Sequence, residues 1–385
     1  MTYLEQDLPG CRIRASVPIA VSASNTRIVT DIPAERWDEL VAEFADAAHE
    51  QTHALRGALW RANRVERVAV LREDRVIGLA LAVTVIAWPL HRGIAYIKFG
   101  PLWRRRNEGG DSSNLVHVLD ALVAHFVEKR RLCLKILPAA DPDCMNMLSE
   151  RLTSLGFSRW PLPDPNRFLV NLRVDEVQQR ASLSKRWRYN LKHVLQHDLG
   201  IAVEPGADSL ATFDRMFGEM ERRKAYRSDS WLDVYARLKQ DMPDAVRPSV
   251  IIVRQNGNAV AGAVIGHIGD IAYYLFGATS DRGAQLNAGY AMQWWIVGWL
   301  RQRGLRWYEL GGEAGGPGMR RYKKGLVGKE GGVVALAGEF SLCRDPMSHA
   351  FAVAINGLRT AKSGMKALRA KLRACSHSAT RPGET

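Results

Sequence analysis

Two heptapeptides set the main constraint on what this chain can fold into. Residues 94–100 read IAYIKFG and residues 271–277 read IAYYLFG, with five of seven positions identical. Upstream of each, residues 68–80 (VAVLREDRVIGLA) and 250–263 (VIIVRQNGNAVAGA) read as an apolar strand, a polar turn and a second strand carrying a glycine. Downstream of each comes helical spacing, over about residues 115–131 and 288–303, then a short apolar strand, LCLKIL at 132–137 and LRWYEL at 305–310. NTRIVTDI at 25–32 and NRFLVNL at 166–172 correspond as candidate first strands. Letters and element order repeat together, which predicts one supersecondary unit duplicated about 175–180 residues apart. The order is that of a mixed α/β sheet with helices on its faces.

A length of 385 residues suits two such domains. The Pro-rich stretch WPLPDPN at 160–166 puts a boundary near residue 165. The expected organisation is an N-terminal segment at 1–24, a first domain at 25–165, a second at 166–342, and a basic amphipathic helix and tail at 343–385. The charge divides unevenly. Residues 1–178 hold 23 Lys+Arg against 22 Asp+Glu, so nearly all of the formal +14 falls in the second half. A polyanionic partner such as tRNA, a nucleotide-linked substrate or an anionic membrane face is expected to meet that half. Five scattered cysteines form no CxxC pair, which predicts reduced thiols in a cytoplasmic protein. The N-terminus does not read as a signal peptide. The longest uncharged stretch, residues 76–90, is 15 residues, short of the roughly 20 that span a bilayer. Its β-branched residues predict a buried strand.

Further motifs fall in a telling order. The first copy carries FGP at 99–101 and KILP at 135–138; the central region carries SKRWRYNLKHV at 184–194. The second copy carries NAGYAMQWWIVGWLRQRG at 287–304, YELGG at 308–312 and YKKGLVG at 322–328. Together they resemble the FemABX-type ligases, two tandem GNAT-like acyltransferase domains, over about residues 25–340. The resemblance implies mixed, mostly antiparallel sheets flanked by helices. It also implies transfer of an aminoacyl group from aminoacyl-tRNA to an amine of a peptidoglycan-type precursor, with no bound cofactor or metal. Related double-GNAT proteins imply the alternative, an acyl-CoA donor and a polysaccharide or small-molecule amine. This chain departs from the family in lacking a long coiled-coil arm, in Tyr322 and Leu326 where Phe is usual, and in Glu309 as the acid of its YDLGG-like strand.

Acyl transfer to an amine needs fixed donors for a tetrahedral oxyanion and an unprotonated nucleophile. Lys323 stands at the motif lysine, after the glycine-rich GGEAGGPG at 311–318, where backbone amides can approach an anion. It is the expected oxyanion contact, with Tyr322 beside it and Arg320, Arg321 and Lys324 flanking. Gly311 and Gly312 are expected at the substrate. Glu309, Glu313 and Tyr308 end the preceding strand, where an acid can orient the amine. Arg188 and Asn190 are assigned to a phosphate of the acceptor, because an arginine fork holds phosphate in two bonds. Lys98, Tyr96 and Trp60 are the first-domain candidates for the acceptor, in a cleft between domains.

His49-Glu50-Gln51-Thr52-His53 is an HExxH pattern. On a helix from Trp37 both histidines fall roughly 120–160° from the apolar stripe, and no third ligand follows, so no metal is expected. The tail from residue 346 to 373 keeps apolar residues, Phe351 and Ile355 among them, at helical spacing between basic ones. It can lie on the cytoplasmic face of an anionic membrane or dock back on the core. The CoA pyrophosphate signature is imperfect at Arg282–Gln285, which disfavours CoA. A non-catalytic RNA- or membrane-binding role is the reading from another class. The oligomeric state is not legible.

Overall fold

The computed structural model describes residues 26–106, 112–224, 228–240, 242–313 and 315–357. Two seven-stranded sheets carry the fold. The first runs β1 (Thr26–Val29), β2 (Val65–Arg72), β3 (Arg75–Ala87), β4 (Arg92–Lys98), β5 (Cys133–Leu137), β14 (Glu339–Leu342), β6 (Ser158–Trp160). The second runs β8 (Gly200–Val203), β9 (Ser249–Gln255), β10 (Asn258–Gly266), β11 (Ile271–Thr279), β12 (Trp307–Glu309), β7 (Asn166–Asn171), β13 (Gly332–Ala335). Step for step the pairings agree: every neighbour is antiparallel except the parallel pairs β4–β5 and β11–β12. This is the duplicated mixed α/β unit that the repeat predicts, in the tandem GNAT-like form that the resemblance implies.

Local sequence explains the match. The β2–β3 turn holds Glu73 and Asp74 at φ 50° and 63°, and the β9–β10 turn holds Asn256 and Gly257 at 49° and 78°. Two successive left-handed residues make the type I′ turn, whose twist suits an antiparallel hairpin and for which Asn-Gly is the best sequence. β3 is buried along most of its length because both faces are covered. Ala80 and Ala82 face Leu115, Val118 and Leu119 of the helix Ser112–Leu122, while Leu79 and Leu81 face Trp37, Leu40 and Val41 of the helix Ala34–Ala42.

Three expectations need correction. First, the two halves exchange a strand. β7 follows β6 in the chain but pairs inside the second sheet, and β14 returns to the first sheet between β5 and β6. Residues 339–342 therefore do not belong with a second domain at 166–342. The crossings run side by side, with Leu336 N donating to Pro165 O at 2.9 Å. Second, the counterpart of β1 is β8, not the strand at 166–171. Third, Cys133 and Cys343 are joined as a disulfide rather than two thiols, because the pairing of β14 on β5 brings them to a Cα separation of 4.4 Å. Residues 346–357 are helical as the spacing predicts, and Phe351, Ala352 and Ile355 pack with Val85, Ile94 and Cys133, so these positions dock on the first sheet. The expected segment 1–24 and the tail beyond 357 lie outside the described residues. Among the described residues no helix is long and apolar enough to cross a membrane.

The halves meet through Phe99, Leu137, Leu169, Tyr273, Trp307 and Leu336. An ionic layer adds to this contact: Arg306 bonds Asp143 and Asp270, and Arg104 reaches Asp141 at 3.1 Å.

Candidate active site

The two sheets differ at one place. β4 and β5 stay paired from Ile94–Cys133 to Lys98–Leu137, and Phe99 N continues the ladder to Leu137 O at 2.7 Å. β11 and β12 pair only at Ile271–Tyr273 against Trp307–Glu309. Leu310 then turns away to bond Phe168 O of β7, so among the described residues no strand pairs with 274–279 of β11 on that side. The second sheet opens as a V, and a cavity of about 210 Å³ lies there, walled by Tyr274, Gly277, Asn287, Tyr290, Tyr322 and Lys323. Strand backbone without a neighbour is a ready partner for an extended, amide-bearing chain.

Lys323 reaches this cavity from the helix Gly316–Val327. Gly315 and Gly316, at φ 100° and 80°, let the chain turn sharply into that helix, and Pro317 occupies its first turn. Lys323 Nζ donates to Gly312 O at 2.7 Å and sits over the Phe168 ring at 5.9 Å. Burial lowers its pKa below the ordinary lysine value, with Asp164 and Glu309 holding the charge in place and Arg167 opposing it. Gly311 lies near the ammonium: a side chain there would meet Nζ at 3.8 Å, and at φ 78° it would be strained. Tyr322 also walls this cavity. Its hydroxyl is committed to Gly289 O at 2.7 Å, fixing the helix Gly316–Val327 against the start of the helix Ala288–Gln302. Tyr308 is likewise core, its hydroxyl donating to Gln293 Oε1 at 3.0 Å.

Glu309 ends β12 with 5% of its surface exposed. Arg167 Nε stands 3.5 Å from Oε1, and Oε2 is buried without a hydrogen-bond partner among the described residues. Burial pushes its pKa up to about 7; Arg167, Lys98 and Lys323 pull it down, and Glu50 pushes it up. One of those lysines comes from each half, so both halves face the same carboxylate.

On the first-half side lies a cleft of about 120 Å³ that holds Trp60, Tyr96 and Lys98 together. Lys98 Nζ donates to Glu50 Oε1 at 2.8 Å, and Arg56 Nε stands 2.7 Å from the other oxygen as an ion pair. The floor is apolar: Leu81, Val83, Val85 and Ile94. Trp60 is 38% exposed, so it is a cleft wall rather than core.

Arg188 donates to the carbonyls of Ala181 and Leu183, closing the end of the preceding helix, and it lines none of the cavities described here. Asn190 sits on the same helix, Lys185–Val194, whose Trp187, Leu191 and Val194 are buried. Arg186 lines a pocket of about 110 Å³ with Arg321, Ser184, Trp187, Tyr290 and Tyr322. Tyr290 and Tyr322 wall the V-shaped cavity too, so the basic pocket adjoins it. Arg320 pairs at the surface with Glu313 at 3.3 Å, and Gly312 packs on Asp164. The pattern HExxH sits on no long helix. His49 is in the short turn His49–Gln51 and buried, not on a wet face, and no group able to hold a metal is found among the described residues. Glu50, Arg56, Arg186, Tyr274 and Tyr290 are functional candidates that the motifs did not single out.

Residues 178–324 match the family described as Acetyltransferase (GNAT) domain. The sequence matches no curated protein. Among solved structures, FemX is similar over 83% of this chain and 98% of its own, with a TM-score of 0.65 and 16% identity. A conserved protein of unknown function from Bacteroides thetaiotaomicron is similar over 81% and 98%, at 0.55 and 11%. The C-terminal domain of a putative lysylphosphatidylglycerol synthetase from Agrobacterium fabrum is similar over 82% and 96%, at 0.50 and 13%. The fold is GNAT-like, and residues 178–324 carry the match to a GNAT acetyltransferase domain. Within that class the chain has the two-domain architecture of FemX, and the FemABX-type resemblance holds at the level of the fold.

Proposed function

We propose that the protein moves an activated acyl group, an aminoacyl group from aminoacyl-tRNA in the leading reading, onto an amine held in the first-half cleft. One observation carries this: the buried carboxylate of Glu309, flanked by Lys98 from the cleft and Lys323 from the V-shaped cavity. The acyl arm lies in the V. Glu309, ionised near neutral pH, takes the proton from the attacking amine. The C–N bond forms, Lys323 meets the oxyanion, and the C–O ester bond breaks as the proton passes to the leaving hydroxyl. Trp60, Tyr96, Lys98 and Glu50 hold an acceptor of the peptidoglycan-precursor kind, with an anionic group on Lys98 or Arg56.

The basic second half supports a tRNA donor, and Arg186 with Arg321 suits the phosphodiester next to the ester. Such a donor implies a cytoplasmic site of action. Replacing both arginines by glutamine is expected to raise the donor's KM by roughly tenfold per arginine and flatten its salt dependence, with kcat little changed. Steady-state kinetics at two ionic strengths check this.

The match to a GNAT domain and the V along β11 favour a second donor, an acyl-CoA thioester. Purified protein given labelled aminoacyl-tRNA or acyl-CoA separates the two. RNase-sensitive transfer supports the first reading; RNase-insensitive transfer from CoA alone rejects it for the second.

A further inference from the structure

The far end of the β3–β4 hairpin presents an unusual surface. Trp88 is 83% exposed, Leu90 54% and Ile86 40%, around Pro89 at the tip. Ile86 stands opposite Gly93 in the ladder, and Gly93 N donates to Ser348 Oγ at 3.1 Å. That bond brings the start of the helix at 346–357 alongside, and its Met347 is 47% exposed. Four large apolar side chains from two segments thus share one end of the first half. Single exposed apolar residues are ordinary, but a clustered set containing a nearly bare tryptophan marks a contact surface.

We infer that this end docks on an anionic lipid surface, with Trp88 and Leu90 entering the interfacial layer. Tryptophan favours that layer because its ring is apolar and its N–H polar. The charge around the patch fits. Arg92 and Arg131 share Asp345 beside Met347, and Arg344, 59% exposed, pairs with Glu128 at 2.8 Å, so three arginines stand against two acids. The chain beyond the helix, residues 358–385, carries seven Lys/Arg against one acid and starts from this same helix. Basic segments near a membrane gain attraction from anionic headgroups. A second copy of this chain, bearing the same basic rim, would meet it with like charge, which favours lipid over self-association.

The patch also bears on access to the cleft. Val85 and Ile94 floor the first-half cleft and pair with each other in the ladder, one step before Ile86 and Gly93. Side chains alternate along a strand, so the cleft lies on the opposite face of the hairpin from Ile86, and docking at the tip leaves the cleft uncovered.

The test is co-sedimentation of the full chain with phosphatidylcholine vesicles, with or without phosphatidylglycerol. The expected result is binding to the phosphatidylglycerol vesicles, weakened by salt. The double variant Trp88→Ser, Leu90→Ser should reduce it by roughly tenfold or more. Both side chains are exposed, so its thermal unfolding should match the wild type. Absent wild-type binding, or binding unchanged in the variant, overturns the docking. So does a concentration-dependent dimer that the variant abolishes, because the patch would then be a contact between copies. Sedimentation needs no catalysis, so failed transfer with retained vesicle binding would fault the acceptor reading and leave the docking intact.

Discussion

Replacing Lys323 by alanine is expected to lower turnover by about 10²–10³-fold, the loss typical of removing one oxyanion donor. The argument rests on placement. The ammonium is held by Gly312 O at 2.7 Å, faces the cavity, and is partly withdrawn from water. A fixed positive charge there needs no reorganisation when negative charge develops on the acyl oxygen. The neighbouring Lys324 is exposed on the same helix, so Lys324→Ala serves as the control and should behave as wild type. The KM values of both substrates should move little in Lys323→Ala, since the contact strengthens only in the transition state. Wild-type turnover in that variant would sink the assignment.

Glu309→Gln is expected to cost roughly 10²–10⁴-fold, the range for a positioned general base, and to change the pH profile. Burial holds the carboxyl's pKa up at about 7, so wild-type activity should rise as pH climbs through about 7 and the base ionises. Lys323 titrates below the ordinary lysine value, so activity should fall again on the alkaline side as its charge is lost. The profile is a bell, and the glutamine variant should lose its acid limb. Stability gives a second readout with a definite sign. The folded pKa exceeds the usual 4.5, so the folded chain binds more protons than the unfolded one between those values. Wild type should therefore lose stability relative to Glu309→Gln as pH rises from about 4.5 to about 7. A pH–rate profile indistinguishable between the two proteins would remove Glu309 from the proton path.

The helices flanking both sheets and most strands were legible because they depend on local periodicity. The helix Ala288–Gln302 fell almost where the apolar spacing at 288–303 put it. Asn256-Gly257 announced its hairpin. The strand exchange was not legible. NRFLVNL has the composition of a strand, but nothing in seven residues states which neighbour it takes, and the duplicated order suggested the wrong one. The disulfide follows from the same exchange, since Cys343 meets Cys133 only when β14 returns to β5. Arg186 and Arg188 looked interchangeable in a basic run. Their roles separated because two residues on a helix turn through roughly 200°, sending one guanidinium to the pocket and the other to its own backbone.

By itself the sequence determined that two copies of one α/β unit exist, that the second carries the lysine and glycine-rich loop, and that positive charge gathers there. Those features belong to neighbouring residues, and local propensity and periodicity express them directly. Only the tertiary structure decided that the second sheet splays while the first stays shut. Only it brought Glu309, Lys98 and Lys323 together across the two halves and raised one carboxyl towards neutrality. Ladder partners and burial depend on residues hundreds of positions apart, and no local pattern encodes that geometry.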